Sequence, residues 1–366
     1  MIFWIEEDIE ISYSQLIDDL KKGKTNLKLT GYIHFISLLI NLCEGADIKL
    51  IDDVIEHLVL NKEHLSFQIQ TSGTTSNPKS IEVKMSNCIR YVKTKEEKNK
   101  SLWGMGYPAG SFASTQVFFQ SLINKETIIY LYGMDFKLSD KVFSRYNITN
   151  LSCTPTFLSM LLINLEKEYS SVKKITTGGE KMKENLIQSF KKTFISSEYI
   201  NIYASTETGS LLYSKSDLFS IPKKYKSHIK VENGTLRVHK SLVNEGDHPI
   251  LDWYDTKDVV EFVNDYQFRF VSRSNGYLNT GGFRIFPSEI ENNIMTIKGV
   301  LDVHVYGKPN SLLGTIICAD IIGEGIIVKK IKTELMKLTE KHKVPQIIRV
   351  VNSFEYVSNG KKKLMI

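Results

Sequence analysis

Thr71-Ser72-Gly73-Thr74-Thr75-Ser76-Asn77-Pro78-Lys79-Ser80 packs hydroxyls, one Gly, one Pro and one Lys into ten residues. Hydroxyls and free backbone N–H groups donate to phosphates, and lysine adds a point charge. Taken alone, such a stretch reads as a Ser/Thr-rich surface turn. Its flanks say more. Leu65, Phe67 and Ile69 alternate with Ser66, Gln68 and Gln70, and Ile81 and Val83 alternate again beyond it. That is strand periodicity on both sides, so the loop joins two strands.

Gly73 to Ser80 comes close to the spelling of a P-loop, and two features exclude one. Pro78 precedes the lysine where a P-loop has Gly, removing an N–H and fixing φ. A second strand follows where a P-loop needs a helix. A phosphate loop held by a hairpin is a different device.

The totals set bounds. A chain of 366 residues can bury a large core and form two domains. Its formal net charge of +6 suits anionic ligands such as nucleotides, CoA or an acidic carrier protein. No basic stripe is interleaved with aromatics, so nucleic-acid binding is not expected. Cys43, Cys88, Cys153 and Cys318 are far apart, with no CxxC pair and no Cys/His cluster. They read as buried free thiols of a reducing compartment. Met1 to Glu10 is acidic and lacks the basic start and apolar core of a signal peptide. Tyr32 to Leu42 is apolar but too short to span a bilayer. A cytoplasmic location without membrane association is the expectation.

Thr71 to Ser80 resembles the phosphate loop of the adenylate-forming superfamily, which includes acyl- and aryl-CoA synthetases, nonribosomal adenylation domains and luciferases. The family's loop has Gly where this chain has Ser76 and Ser80. By this resemblance Thr71, Ser72, Gly73, Thr74, Thr75 and Lys79 are expected to bind the phosphates of ATP. The family's loop follows a much longer N-terminal region, here cut to about seventy residues. A trimmed first subdomain is expected.

Three further stretches carry the same resemblance. Lys173 to Thr177 reads as a strand ending in Gly178-Gly179-Glu180, and glycines there let a flat ligand approach the backbone. A similar Gly-Gly-Glu borders the family's adenine pocket. Asn201-Ile202-Tyr203-Ala204-Ser205-Thr206-Glu207-Thr208-Gly209 is similar to the family's Tyr-Gly-x-Thr-Glu, with Ala204 at the Gly position. In that role Tyr203 stacks on adenine, Ala204 and Ser205 line the nucleotide, Thr206 donates to the α-phosphate, and Glu207 holds Mg²⁺. Ala204 is expected to narrow the acyl pocket slightly. Trp253-Tyr254-Asp255-Thr256-Lys257-Asp258 resembles Tyr-x-Thr-Gly-Asp, with Lys257 for Gly and Asp258 as the ribose acceptor.

Ser272 to Glu291 resembles the family's hinge, its Gly-x-Arg-Ile loop and its Pro-x-Glu-Ile-Glu. Arg273 is implied to contact ribose or phosphate, and Asn275 stands at the hinge, where Asp or Lys is usual. Asn279 stands where Lys is common. Gly281 and Gly282 would let a thiol-bearing arm pass. Near the end, Asn359-Gly360-Lys361 is similar to a terminal Gly-Lys, which makes Lys361 the catalytic lysine; Leu364 replaces the Arg usual three residues on.

The whole reads as an α/β fold. Residues 1–274 form a large N-terminal domain of layered sheets and helices, and 275–366 a small mobile α+β lid. Strands are expected at 48–51, 127–131, 148–151 and 173–177, and a hairpin at Asn233-Gly234. Helices are expected to begin after Ser14, at 36–40, from Ser86 through Val92, over 112–123 and from Thr154. In the lid, helix, two strands (300–305 and 316–322), helix (328–341) and strand (347–351) follow Glu289.

The implied reaction is ATP-dependent activation of a carboxylic acid to an acyl-adenylate, then transfer to CoA or a carrier-protein phosphopantetheine. An acyl carrier protein is a candidate partner. Thr206, Glu207 and Lys361 are the catalytic candidates. Between Tyr107 and Ser121 there is no Asp or Glu to pair with an amine, which favours a neutral-tailed acid. Ala109 and Gly110 take the place of the His common in CoA ligases. Phe112, Phe118 and Phe119 suit an acyl pocket or the core equally. The alternative is a non-catalytic or adenylation-only nucleotide-binding member of the same fold.

Overall fold

The computed structural model describes residues 1–71, 79–94, 101–180, 182, 184–244, 252–264, 266–273, 278–280, 283–310, 314–352 and 354. The chain divides into two compact units. One comprises Met1–Met182, Leu186–Lys230 and Arg237–Tyr254; the other comprises Lys183–Asn185, Val231–Leu236 and Asp255–Ile366.

The first unit contributes β1 (Ile2–Glu6), β2 (Ile9–Ser12), β3 (Ser66–Thr71), β4 (Lys79–Lys84), β5 (Leu102–Gly106), β6 (Thr127–Tyr130), β7 (Asn150–Cys153), β8 (Lys174–Gly178), β9 (Glu198–Ser205) and β10 (Gly209–Ser214). Eight of these form one sheet of order β10-β9-β8-β7-β5-β6-β1-β2. Neighbours from β9 across to β1 are parallel. The edge pairs β9–β10 and β1–β2 are antiparallel. β3 and β4 make a separate hairpin in which Thr71 faces Lys79, as the alternation around the opening stretch predicts. Phe67, Ile69, Ile81 and Val83 are its buried face.

Successive residues of a strand face opposite ways. Trp4 and Ile128 accordingly join one core, and Ile5 and Ile129 the other. The helices are α1 (Tyr13–Lys22), α2 (Thr30–Leu42), α3 (Ile51–Leu60), α4 (Met85–Cys88), α5 (Phe112–Ile123), α6 (Ser139–Tyr146), α7 (Pro155–Ile163) and α8 (Glu184–Thr193). The first five pack into the first core and the last three into the second. Phe118 and Phe119 are fully buried, and Phe118 stacks on Phe35 with centroids 4.4 Å apart. Burial of such a ring contributes about 1.5–3 kcal/mol. Both rings belong to the core.

α2 starts after Leu29, which has no capping side chain. The cap comes from β1. Glu6, buried, accepts from Gly31 N (2.9 Å), Tyr32 N (3.0 Å) and Trp4 Nε1 (2.9 Å). A carboxylate is the group a helix N-terminus favours. Gly31 is required by this closeness, since a Cβ there would lie 2.8 Å from the Trp4 ring.

Several local expectations shift. α1 is capped by Ser12, not Ser14, with Gln15 N donating to the Ser12 hydroxyl. Residues 48–51 are not a strand. They lead into α3, because the Asp53 carboxylate accepts from Lys49 N and Leu50 N and fixes a helix start. The helix expected from Ser86 through Val92 is one turn, Met85–Cys88. Its polar neighbours Asn87 and Arg90 bond instead to distant loop segments. All four cysteines are free and buried. Among the described residues no helix is long and apolar enough to cross a membrane.

In the second unit, residues Asp258 to Asn264 of strand Trp253–Asn264 pair antiparallel with strand Gln267–Arg273. Asn233 and Gly234 both have positive φ, the hairpin geometry their dipeptide predicts. Helices Pro287–Met295 and Val328–Leu338 cover strands Leu278–Thr280, Val300–Asn310, Gly314–Gly323 and Ile347–Val350 around a core of Ile290, Ile294, Val303, Ile317, Ile321 and Leu335.

Candidate active site

In a doubly wound sheet, ligands bind beyond the carboxyl ends of the strands where the winding reverses. β5 and β7 are neighbours, yet α5 after β5 packs into the first core and α7 after β7 into the second. The winding therefore reverses between them. The loops after β5, β7, β8 and β9 share that edge because these strands are parallel.

Close packing draws these loops together. A Cβ at Gly106 would stand 2.7 Å from the Phe157 ring and 2.8 Å from Cys153 Cβ. Just beyond, Tyr107 OH donates to Cys153 O at 2.7 Å. Burial, reinforced by the nearby Glu180 carboxylate, pushes the Cys153 thiol well above the ordinary thiol range. Burial also raises the Tyr107 phenol. Both stay protonated at neutral pH, so neither serves as an anionic nucleophile.

Gly178 and Gly179 end β8 in two different ways. A Cβ at Gly178 would lie 2.9 Å from Ile202 O of the next strand. Gly179 has φ +83° and open space around it. The first glycine serves strand packing and the second a turn that leaves the backbone accessible. Glu180 is committed locally: its Oε2 accepts from Thr156 N at 3.0 Å, in the first turn of α7. Thr154 caps the same helix by accepting from Phe157 N.

β9 and β10 form a hairpin whose tip is Thr206-Glu207-Thr208, closed by Gly209 at φ +65° opposite Ser205. A three-residue loop ending in a left-handed glycine is a favoured hairpin connection. The Ser205 hydroxyl accepts from Thr208 N at 3.1 Å and steadies the turn. Tyr203 sits edge-on to Phe219, centroids 6.4 Å apart. Ala204 packs against the first core. Thr206 and Glu207 are half-buried, and their side chains have no hydrogen-bond or ion-pair partner among the described residues.

Their backbone is different. Asn244 Nδ2 donates to Thr206 O at 2.7 Å, and Asn244 N donates to Glu207 O at 2.6 Å. Arg90 Nη1 donates to Thr208 O at 3.4 Å. Asn87 Nδ2 donates to Asn244 Oδ1 at 2.6 Å, and Arg90 also donates to Asn87 Oδ1. Sequence reading missed Asn87, Arg90 and Asn244. Their partners lie far along the chain, and no local pattern marks them.

Gly178 pairs with Ile202 on the neighbouring strand, so Gly179 and Glu180 leave β8 at the same edge at which Tyr203, Ala204 and Ser205 continue β9 toward Thr206 and Glu207. Thr71 and Lys79 end the facing strands of the β3–β4 hairpin. In the second unit, Asp258 is buried and opposite Arg273. Ser72, Gly73, Thr74, Thr75, Asn275, Gly281, Gly282 and Lys361 lie outside the described residues. Among the described residues no group of three or more His, Cys, Asp or Glu could hold a metal.

Comparison with known proteins agrees with this architecture. Residues 17–233 match the AMP-binding enzyme family and 289–361 the AMP-binding enzyme C-terminal domain. Bacitracin synthase 3 of Bacillus licheniformis is 23% identical over 348 residues, covering 83% of this chain and 6% of that protein. The 2-succinylbenzoate–CoA ligase of Staphylococcus aureus is 21% identical over 334 residues, covering 82% and 66%. The structure of o-succinylbenzoate CoA synthetase (MenE) from Bacillus subtilis with its acyl-adenylate intermediate shares the fold, with TM-score 0.60 and 17% identity, over 81% of this chain and 67% of that one. With its first match alone spanning more than half of its length, the chain belongs to the AMP-binding enzymes of the adenylate-forming superfamily, in a form shorter than these relatives.

Proposed function

We propose that the chain activates a carboxylic acid with ATP, releasing pyrophosphate, and passes the acyl group from the acyl-adenylate to the thiol of CoA or of a carrier-protein phosphopantetheine. What carries the reading is the hairpin tip. A threonine hydroxyl and a carboxylate, without partners among the described residues, stand at the tip of the β9–β10 hairpin, beyond the carboxyl end of the parallel strands.

Two anions, a carboxylate and the α-phosphate, must meet. Their repulsion is several-fold stronger in a dry site than in water, so charge must be neutralised there. The carboxylate oxygen attacks the α-phosphorus, the bond to pyrophosphate breaks, and a mixed anhydride remains. Thr206 donates to the α-phosphate oxygens. Glu207 would hold Mg²⁺, a hard cation that takes one or two carboxylates together with substrate phosphates. When bound, the ion neutralises charge on the phosphates. Lys79 and the hydroxyls of residues 71–75 hold the departing pyrophosphate, Tyr203 and the Gly178–Glu180 turn flank adenine, and Asp258 and Arg273 hold the ribose. Residues 275–366 form a lid turning at Asn275. It first presents Lys361 and then the Gly281-Gly282 loop that admits the thiol.

The acid is one with a neutral tail, since α5 and its approach offer no carboxylate for an amine. An acyl carrier protein is the partner if the thiol is protein-borne. The decisive assay is pyrophosphate release over a panel of carboxylic acids, with and without CoA. Acid-dependent release supports the reading. Nucleotide binding without release favours a non-catalytic member of the fold, and orthophosphate release would exclude adenylation.

A further inference from the structure

We propose that Asn244, with Asn87 and Arg90, is the positioning group of the Thr206-Glu207-Thr208 tip. The inference rests on the nucleotide and metal roles just proposed for that tip.

All three tip carbonyls are held by this group. Thr206 O and Glu207 O are both tied to Asn244, and Thr208 O to Arg90. Asn244 is 1% exposed, so its amide bonds without competition from water. The amide is itself fixed, because Oδ1 accepts from Asn87 Nδ2 at 2.6 Å and from Lys84 N at 3.4 Å. Arg90 in turn bonds to Asn87 Oδ1 and, at 3.3 Å, to Leu242 O. The result is a closed set joining the segment after β4, the hairpin tip and residues 242–244.

The side chains of Thr206 and Glu207 have no partner among the described residues to fix them. Their placement therefore comes from the backbone beneath, and this bracket is what holds that backbone. Misplacing a reacting group by about 1 Å can cost on the order of 10²-fold in rate. Position 244 needs a donor and an acceptor at once. Aspartate keeps the acceptor for Asn87, loses the donor to Thr206 O, and sets a negative charge against that carbonyl.

The test compares Asn244→Asp with wild type in two ways. Hydrogen exchange of the amides of residues 206–210 is read without substrate, and acid-dependent pyrophosphate release is read with a Mg²⁺ titration. Positioning predicts exchange at least about 10-fold faster at the tip, kcat lower by roughly 10- to 100-fold, a raised Mg²⁺ requirement and little change in the KM for ATP. Should Asn244→Asp fail to accumulate as folded protein, Asn244→Ser carries the same comparison. Unchanged tip exchange, or kcat within about twofold of wild type, overturns the inference. A wild-type chain releasing no pyrophosphate with any acid overturns the adenylation reading alone. The exchange rates, which need no substrate, separate that failure from a failure of the bracket.

Discussion

Asp258 and Arg273 stand directly opposite each other across the antiparallel strands of the second unit. Lys257, immediately before Asp258, has φ +62°. The motif that this stretch resembles carries glycine there, and Lys257 adopts the left-handed backbone that glycine takes without steric cost. Lys257 N and Nζ both bond to Asp255, at 2.9 and 2.7 Å. Asp258 N bonds to Thr256 Oγ1 at 3.1 Å.

Left-handed backbone costs an ordinary residue roughly 1–2 kcal/mol, partly offset because glycine gains freedom in the unfolded chain. Lys257→Gly should therefore be more stable than Lys257→Ala by about 1 kcal/mol. Both variants lose the Nζ contact to Asp255, and only alanine keeps the strain. Denaturant melts of the two variants check the order; Ala above Gly would refute the strain.

At the hairpin tip, Glu207→Gln keeps size and removes charge. If the carboxylate neutralises phosphate charge through the metal, acid-dependent pyrophosphate release falls by about 10²- to 10³-fold. Tm should hardly move, because the carboxylate has no partner among the described residues to lose. Parallel rate and melting measurements decide, and a large Tm loss with unchanged rate would make Glu207 structural.

Lys361 is expected to act in one half of the reaction alone. Lys361→Ala should lose most adenylation and keep thioester formation from supplied acyl-AMP. Separate assays of the two steps test this, and equal loss of both removes the lysine from its role.

How much of this was legible without coordinates depends on the range of the contacts. The β3–β4 hairpin, the helix after Thr154 and the Asn233-Gly234 turn announce themselves because their signals are local. The start of α2 does not, because its cap is Glu6, far upstream on β1. The strand reading of 48–51 fails since Asp53 reaches back to two N–H groups and turns the segment into a helix entry. Thr206 and Glu207 are visible as a motif. The bracket beneath them is not, since Asn87 and Asn244 are 157 residues apart.

A pH dependence follows in the second unit. Lys343, bonded to Glu289 at 2.6 Å and Glu340 at 2.9 Å, holds the Glu340 carboxyl down at about 2. A depressed carboxyl stabilises the fold above its unfolded value and loses that contribution as pH falls toward its folded one. The Tm gap between wild type and Lys343→Met should therefore stay constant near neutrality and shrink as pH drops from about 4.5 toward 2. Thermal melts across that range measure it; a gap that widens with acid would contradict the pairing.

The bracket has a consequence for how the protein is made. During synthesis the hairpin tip emerges well before Asn244, and Lys84 precedes Asn244 by 160 residues. Until the ribosome has added residue 244, two of the three tip carbonyls lack their donors. Every strand of the eight-stranded sheet precedes residue 244 in the chain, so the sheet can be complete in sequence before its clasp, one asparagine, is made.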